Sequence, residues 1–463
     1  MRNYKNILFY CLVTGSFLIL MYWILQSGKT LEVNKIFSFI KIPDSDFSAG
    51  IKEKLTQNLG SPLAVLLLQI IAILLTARLF GYIFHKAGQP FVVGEIVAGI
   101  FLGPSLLGRW FPGYNSFLFP KASMQNLQFF SQVGLMLFMF VIGMELDLRG
   151  LRTKARQAIV ISHASIIIPY TLGMGLSFFL YEAYAPPNIN FLSFSLFIGI
   201  AMSITAFPVL ARILQERGMN KSRIGGMAIA CAAADDITAW CLLAAVISIV
   251  KGHSAVDTLV TIGMVLTYIF VMILAVKPFL EKISRKYAGK DLLSLNIVVL
   301  MFGVLILSSY TTEVIGIHAL FGAFLAGVVM PSALNFRKIL IEKVEYVSVG
   351  LLLPLFFAFS GLRTQLGLLN STHEWLVCGA ILLVAILGKF GGSMLAAKFV
   401  GESWKDSIVL GALINTRGLM ELVVLNIGYD LGILTPEVFA MMICMALVTT
   451  MMTGPLLNLM KFR

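Results

Sequence analysis

Charged residues are scarce in this chain of 463 residues, where Asp, Glu, Lys and Arg together make up 13%. A soluble globular protein has about 25%. Hydrophobic residues make up 58%, and the mean hydropathy is +0.90. This balance excludes a large soluble core and predicts an all-α polytopic membrane protein.

Cysteines are few, and nucleotide-binding motifs are missing. The five cysteines lie in apolar runs and form no CxxC pair, which argues against a disulfide framework or a zinc site. Neither a Walker A stretch nor GxGxxG occurs, so nothing in the sequence indicates ATP drive. No nucleophile–base pair or metal-ligand cluster appears either, and we therefore expect neither enzyme activity nor a cofactor.

Long apolar runs fill most of the chain instead. A transmembrane helix needs roughly 20 apolar residues, and fourteen candidate runs occur. Most loops between them are short, but the mixed-charge segment 27–60 is longer and could hold a short surface helix. The runs are 7–26, 61–84, 91–109, 126–146, 157–180, 191–213, 224–250, 257–279, 291–309, 315–332, 346–363, 374–399, 406–427 and 436–459.

The basic residues are distributed unevenly between alternate loops. Of the 35 Lys and Arg residues, 24 lie on one side of the predicted membrane, nine on the other, and Lys389 and Arg417 within it. Cytoplasmic loops carry the excess of Lys and Arg, so we expect both termini to be cytoplasmic in a multi-pass protein of the cell inner (plasma) membrane. The net charge of +12 reflects this bias, and we expect lipid rather than nucleic acid as a partner.

The first run follows Arg2 and Lys5, an arrangement that fits either a signal peptide or a membrane anchor. No small-x-small cleavage site follows in LQSGKTLEV, which favours a retained anchor. We therefore predict an N-terminal unit, 1–60, with an anchor helix and a non-cytoplasmic loop, followed by a transmembrane domain at 61–460.

Two adjacent carboxylates, Asp235 and Asp236, lie in the apolar run that contains CAAADDITAW. A carboxylate at bilayer depth costs at least about 2.5–3.5 kcal/mol on insertion scales, and such residues mark ion pathways by default. Like charges in a low-dielectric site also oppose each other's ionisation. We interpret the pair as groups that exchange protons or cations; the alternative is a buried acid satisfied by a basic partner.

Two other runs are interrupted by helix-breaking or polar residues. SITAFPVLARIL, which starts at Ser203, contains Thr205 and places Pro208 in mid-helix, where proline removes a backbone hydrogen bond. GALINTRGLMEL places Asn415, Thr416, Arg417 and Gly418 at mid-membrane depth. Paired broken helices in the two halves of a chain indicate a transporter's midplane binding site. We predict an inverted repeat, with its halves at about 91–250 and 315–460.

The remaining buried charges need partners at that depth. Lys389 lies near the middle of its run, and a salt bridge to one of the twin aspartates would satisfy it, although a tilted helix could bring it to the interface instead. Arg417 and Glu421 are four residues apart and could pair, with Arg417 supporting the break.

Glu95 could be a structural contact or a gate. His318 is interpreted as a packing residue, and Arg363 is expected at the membrane interface.

Together these stretches resemble the monovalent cation:proton antiporter-2 family, closest to its cation/H⁺ exchanger branch and related bacterial Na⁺(K⁺)/H⁺ antiporters. The similarity covers about residues 61–460. It is carried by AMSITAFPVLARIL, AAADDITAW, PLFFAFSGLRT, GKFGG and NTRGLMELVVLNIG.

The resemblance implies a fold and a set of roles. The fold would be an inverted-repeat antiporter with two crossed broken helices, about 13 core transmembrane helices plus the N-terminal one, and a homodimer. Asp236 would bind the cation and the proton, Asp235 would pair with Lys389, and Thr205 would supply a polar group in the first unwound helix.

We therefore expect a secondary active antiporter that exchanges Na⁺ or K⁺ for H⁺ by alternating access, with both ions competing for Asp236. The alternative is a cation channel or a transport-inactive ion sensor on the same fold. Channels carry carbonyl or charge rings along a continuous pore, and no such filter stretch is evident.

Overall fold

A computed structural model describes residues 2–29, 54–55, 58–145, 155–219, 222–251, 255–287, 295–331 and 334–460. The chain divides into two units, Met1–Ser61 and Pro62–Arg463. The surface helix considered for segment 27–60 falls almost entirely outside the described residues.

The regular elements of the described residues are helices, as the long apolar runs predict. The first unit contains α1 (Arg2–Lys29). The second unit contains α2 (Pro62–Lys86), α3 (Phe91–Leu102), α4 (Leu107–Trp110), α5 (Pro112–Leu118), α6 (Lys121–Glu145), α7 (Ala155–Tyr184), α8 (Phe191–Ser203), α9 (Phe207–Glu216), α10 (Arg223–Lys251), α11 (Ala255–Val271), α12 (Lys277–Tyr287), α13 (Leu295–Ile315), α14 (Ala319–Val328), α15 (Leu334–Val347), α16 (Leu353–Arg363), α17 (Thr372–Ile386), α18 (Gly392–Phe399), α19 (Trp404–Ile414), α20 (Leu419–Asp430) and α21 (Pro436–Leu459).

Ten helices within the described residues are long and apolar enough to cross a membrane. The prediction of an all-α polytopic membrane protein is thereby confirmed. Each of the fourteen apolar runs carries a helix, but several of these helices are short or interrupted. The number of membrane crossings therefore stays a prediction.

The helices of the second unit pack mainly within two groups. The first group, here called the core bundle, consists of α7–α10 and α17–α21. The second, here called the scaffold bundle, consists of α2–α6 and α11–α16. Glycine allows close approach of helices within the scaffold bundle: a Cβ added to Gly143 of α6 would lie 2.1 Å from the carbonyl oxygen of Phe324 in α14. Small residues permit such close helix packing in membranes.

The core bundle contains two broken helices. The first is α8–α9, interrupted at residues 204–206, and the second is α19–α20, interrupted at residues 415–418. Pro208 does not lie in mid-helix as predicted. The first break precedes it, and Pro208 occupies the first turn of α9, where its missing N–H would have no partner in any case.

Candidate functional site

The two broken helices cross at their interruptions. The N–H of Ala206 in the first break donates to the carbonyl oxygen of Thr416 in the second, at 3.1 Å. Gly418 has φ 156° and ψ −124°, a conformation that non-glycine residues rarely adopt. A Cβ there would lie 2.8 Å from Cγ2 of Val209 in α9. The absence of a side chain at Gly418 therefore allows the segments to meet.

Two buried cations satisfy the carbonyl groups at the end of α8. Arg417 donates to the carbonyl oxygens of Ala201 at 3.1 Å and Met202 at 2.6 Å. Lys389 donates to the carbonyl oxygen of Ser203. The last carbonyls of a helix lack intrahelical partners and carry partial negative charge. Both cations therefore stabilise a helix end that lies inside the protein.

The Arg417–Glu421 pair predicted from the four-residue spacing is present. Nη1 of Arg417 lies 3.2 Å from Oε1 of Glu421, and both side chains are fully buried. The backbone of the second break is held by α21, since the Thr450 hydroxyl donates to the carbonyl oxygen of Arg417 at 2.8 Å. Arg417 thus links one broken helix to the other.

Asp235 is surrounded by hydroxyl donors. Ser162 donates to its Oδ1 at 2.6 Å, while Ser165 and Thr205 donate to its Oδ2 at 2.8 Å and 2.5 Å. Nζ of Lys389 lies 3.5 Å from the same Oδ2. Three hydrogen bonds and one cation therefore engage this fully buried carboxylate.

Backbone carbonyl groups, in addition to Asp235, position the ammonium group of Lys389. Its ammonium also donates to the carbonyl oxygen of Ser165, at 3.1 Å. The residue lies in a π-helical turn, Leu387–Gly391, between α17 and α18. Such turns are rare and occur frequently at functional sites. The structure thus brings Lys389 to Asp235 rather than to the membrane interface.

Asp236 differs sharply from its neighbour. It is 2% exposed, and neither of its carboxylate oxygens has a hydrogen-bond partner within bonding geometry among the described residues. The backbone N–H of Phe207, at the start of α9, lies near the carboxylate as a weak donor. A helix N-terminus favours negative charge. Among the described residues, side chains therefore donate to Asp235 and not to Asp236.

The other predicted site residues fall into two sets. Ser203, Thr416 and Asn415 are buried at the crossing, and neither polar side-chain atom of Asn415 has a hydrogen-bond partner among the described residues. Glu95 is buried on α3, whose main neighbours are α2 and α16 of the scaffold bundle. Glu95 therefore lies on a helix of the scaffold bundle, whereas Asp235 lies on α10 of the core bundle.

Ser162 and Ser165 were not predicted from the sequence. They lie three residues apart on α7, a spacing that places both side chains on one helix face. They belong to the stretch SHAS, where two serines interrupt an apolar run. That pattern could have indicated a polar partner, although it could not name Asp235.

Two predicted interface or packing residues occupy more specific positions. Arg363 has a side chain that is 15% exposed and forms an ion pair with Asp430 at 2.7 Å. His318 has φ 89° and caps the start of α14. Within the described residues, no group of three or more His, Cys, Asp and Glu side chains forms a metal-binding cluster.

Comparisons with known proteins agree with this architecture. Residues 71–460 match the family model for the transmembrane region of sodium/hydrogen exchangers. The chain is 42% identical over 395 residues to the Na⁺/H⁺ antiporter NhaS4 of Synechocystis sp., covering 85% of this chain and 96% of that protein. It is 39% identical over 395 residues to cation/H⁺ antiporter 17 of Arabidopsis thaliana, covering 85% of this chain and 48% of that protein.

More distant proteins match as well. The K⁺/H⁺ antiporter 1 of Saccharomyces cerevisiae is 34% identical over 415 residues, covering 87% of this chain and 47% of that protein. The chain thus spans about half the length of the plant and yeast relatives.

A solved structure shares the fold. The sodium proton antiporter MjNhaP1 of Methanocaldococcus jannaschii superposes with a TM-score of 0.62 at 16% identity, covering 86% of this chain and 97% of that one. The antiporter fold expected from the resemblance is thereby confirmed. The chain belongs to the sodium/hydrogen exchanger family, and it is a membrane transporter rather than an enzyme.

Proposed function

We propose that this chain is a secondary active antiporter that exchanges a monovalent cation, Na⁺ or K⁺, for protons by alternating access. The cation and the proton compete for the Asp236 carboxylate. Both ions are substrates, and no cofactor takes part. The names of the relatives, which include Na⁺/H⁺ and K⁺/H⁺ antiporters, support the reaction class.

The observation that carries the proposal is the contrast between the two aspartates. Asp235 accepts three hydrogen bonds from hydroxyl groups, whereas neither oxygen of Asp236 has a hydrogen-bond partner in the described residues. A buried carboxylate that no side chain stabilises is costly, and the single backbone N–H of Phe207 offsets only part of that cost. A cation or a proton at Asp236 would remove that cost, and either one excludes the other.

The charge balance of the core bundle supports the same competition. Among the side chains that the structure describes, the fully or almost fully buried ionisable groups near the crossing are three acids and two bases: Asp235, Asp236, Glu421, Lys389 and Arg417. With all five ionised, the net charge is −1. One monovalent cation or one proton would neutralise it. Because an uncompensated charge in a low-dielectric interior is unfavourable, the bundle would be most stable with one of the two bound.

Asp235 takes a positioning role in this mechanism. Its hydrogen bonds and its contact with Lys389 hold it oriented next to Asp236 without making it the exchanging group. Thr205 and the carbonyl oxygen of Ser203 tie the break in the first helix to this network. Asn415 and Thr416 would support the site from the second break.

The proposal also covers the membrane topology, the location and the oligomeric state of the antiporter. We place both termini in the cytoplasm and the chain in the cell inner (plasma) membrane, because the basic residues concentrate in alternate loops. A homodimer, as the resemblance implies, is part of the proposal.

The test is proton flux in proteoliposomes with an imposed pH gradient and Na⁺, K⁺ or Li⁺ added in turn. We expect saturable, cation-dependent flux in the wild type and none in Asp236→Asn. Thr238→Val is a matched control, since Thr238 lies on the same helix and its hydroxyl donates within that helix, to the carbonyl oxygen of Ala234 at 2.9 Å. It should keep wild-type flux.

Flux that persists in Asp236→Asn would overturn the site assignment. A cation-independent leak that does not saturate would favour the channel instead. Wild-type protein that binds cations without any coupled flux would favour the sensor.

A further inference from the structure

A polar cluster joins the two bundles on the side of α20 away from the helix crossing. Nη1 of Arg363, at the end of α16 in the scaffold bundle, lies 2.7 Å from Oδ1 of Asp430, at the end of α20 in the core bundle. The side chain of Gln128, in α6 of the scaffold bundle, donates to Oδ2 of Asp430 at 3.0 Å. Both carboxylate oxygens of Asp430 are therefore held by the opposite bundle.

Asn426 and aromatic rings extend this connection. Asn426, one turn before Asp430, donates to the Ser360 hydroxyl of α16 at 2.8 Å. The Arg363 guanidinium carbon lies 4.4 Å from the ring centroid of Phe359 and 5.4 Å from that of Tyr429. One ring belongs to each bundle, and cation–π contacts add to the attraction.

The cluster lies at one end of the membrane domain. The helix pair α19–α20 runs antiparallel to α21: the carbonyl oxygen of Ala412 accepts from Thr453, and Tyr429 packs on Phe439 with ring centroids 5.0 Å apart. Asp430, at the end of α20, and Trp404, at the start of α19, therefore lie at opposite ends of the second broken helix. The bundle crossing, with Asp236, lies between them.

The opposite end has a different arrangement. There, Arg223 at the start of α10 forms ion pairs with Glu402 at 2.5 Å and Asp406 at 3.1 Å. All three residues belong to the core bundle or to the loop that leads into α19. This cluster would move with the core bundle, whereas the Arg363–Asp430 cluster must break if the bundles separate.

We propose that Arg363, Asp430, Gln128 and Asn426 form a latch that keeps this end of the domain closed. The inference rests on the proposed alternating-access function, because only relative movement of the bundles requires a latch. A cavity beside the latch is lined by both bundles, with Ser131 and Leu135 on one side and Val423 and Ile427 on the other. Opening the latch would admit water to this cavity and give a path toward Asp236.

The experiment measures access to the cavity. Ser131, 1% exposed, is replaced by cysteine, and reaction with a charged, membrane-impermeant maleimide is timed in membranes. The same chain without Ser131→Cys gives the background from the five native cysteines. Arg363→Gln and Asp430→Asn are each expected to raise the labelling rate about tenfold, which corresponds to a loss of about 1.4 kcal/mol of latch stability.

Two further variants separate a latch from general loosening. The exchange Arg363→Asp with Asp430→Arg should bring labelling back toward the wild-type rate. Arg223→Gln is the matched control, because it breaks an ion pair inside the core bundle, and it should leave labelling unchanged. Elution as a single species and unchanged helical circular dichroism establish that each variant is folded.

Unchanged labelling in folded Arg363→Gln and Asp430→Asn would overturn the latch, as would an equal rise in Arg223→Gln. Labelling does not require transport, so it is also measured in Asp236→Asn. If that variant retains exchange while Arg363→Gln still increases labelling, the site assignment fails and the latch stands.

Discussion

Arg417 offers the sharpest test of how the crossing is held together. We expect Arg417→Met to destabilise the protein much more than Glu421→Gln does, although the two side chains form one ion pair. Methionine keeps most of the length of the side chain and removes its charge and donors. Glutamine keeps an acceptor oxygen for Arg417 and removes only the charge.

The magnitude follows from the contacts. Arg417 donates to Glu421 at 3.2 Å and to two carbonyl oxygens of α8, at 3.1 Å and 2.6 Å. Its removal leaves a fully buried carboxylate and two helix-end carbonyls without their donor, and breaking a buried pair typically costs about 3–5 kcal/mol. In Glu421→Gln, Arg417 keeps the two carbonyls, and the summed charge of the five ionised groups falls from −1 to 0, whereas Arg417→Met changes it to −2. The cost in Glu421→Gln is then the difference between a charged and a neutral hydrogen bond, about 1–2 kcal/mol.

The assay is reversible unfolding in mixed detergent micelles, followed by helical circular dichroism for both single variants and the double variant. The double-mutant cycle then gives the coupling between the two side chains. Equal destabilisation by Arg417→Met and Glu421→Gln would refute the argument. In that case the ion pair, and not the capping of α8, would account for the role of Arg417.

Three further outcomes are expected. Thr205→Val removes the 2.5 Å hydrogen bond to Asp235 and should slow cation-dependent proton flux about tenfold, since a hydrogen bond to a charged group is worth about 1.5–3 kcal/mol; unchanged flux would contradict this. Gly143→Ala, with its Cβ 2.1 Å from the Phe324 carbonyl oxygen, should lower the free energy of unfolding by about 1–3 kcal/mol. Gly263→Ala is the control, because a Cβ at Gly263 would have nothing within 4 Å, and it should not lower the free energy of unfolding. Similar decreases in both variants would refute the close packing of α6 and α14. Gly418→Ala should reduce the yield of folded protein and the flux together, because it combines a strained φ with a 2.8 Å contact to Val209; normal flux would show that the crossing tolerates a side chain.

Several features of the site could be predicted because they are local in the sequence. Two carboxylates inside an apolar run must be functional or paired, since the bilayer penalises charge regardless of the fold. The four-residue spacing of Arg417 and Glu421 places them about one helical turn apart, where their side chains can pair. The polar segment at 415–418 cannot be lipid-exposed, because unpaired backbone groups require protein or water.

Other features depend on how the helices rotate and cross. Ser162 and Ser165 reach Asp235 from 73 and 70 residues away in the chain, and no periodicity within α7 says which helix faces them. The break in the first helix falls at residues 204–206 rather than at Pro208. Lys389 and Arg417, which donate to the carbonyl groups at the end of α8, come from the second half of the chain. Proline is compatible with the first turn of α9 but does not cause the break.

The amino-acid sequence is enough to predict a multi-helix membrane protein with an acidic pair and two interrupted helices, because burial in lipid imposes the same demands on every such chain. The three-dimensional packing of the described helices is needed to show that three hydroxyl groups donate to Asp235 and that no described side chain donates to Asp236. It also decided that Arg363 pairs with Asp430 across two bundles. Those outcomes depend on distances of a few ångströms between side chains on different helices, and such distances are set by packing rather than by local pattern.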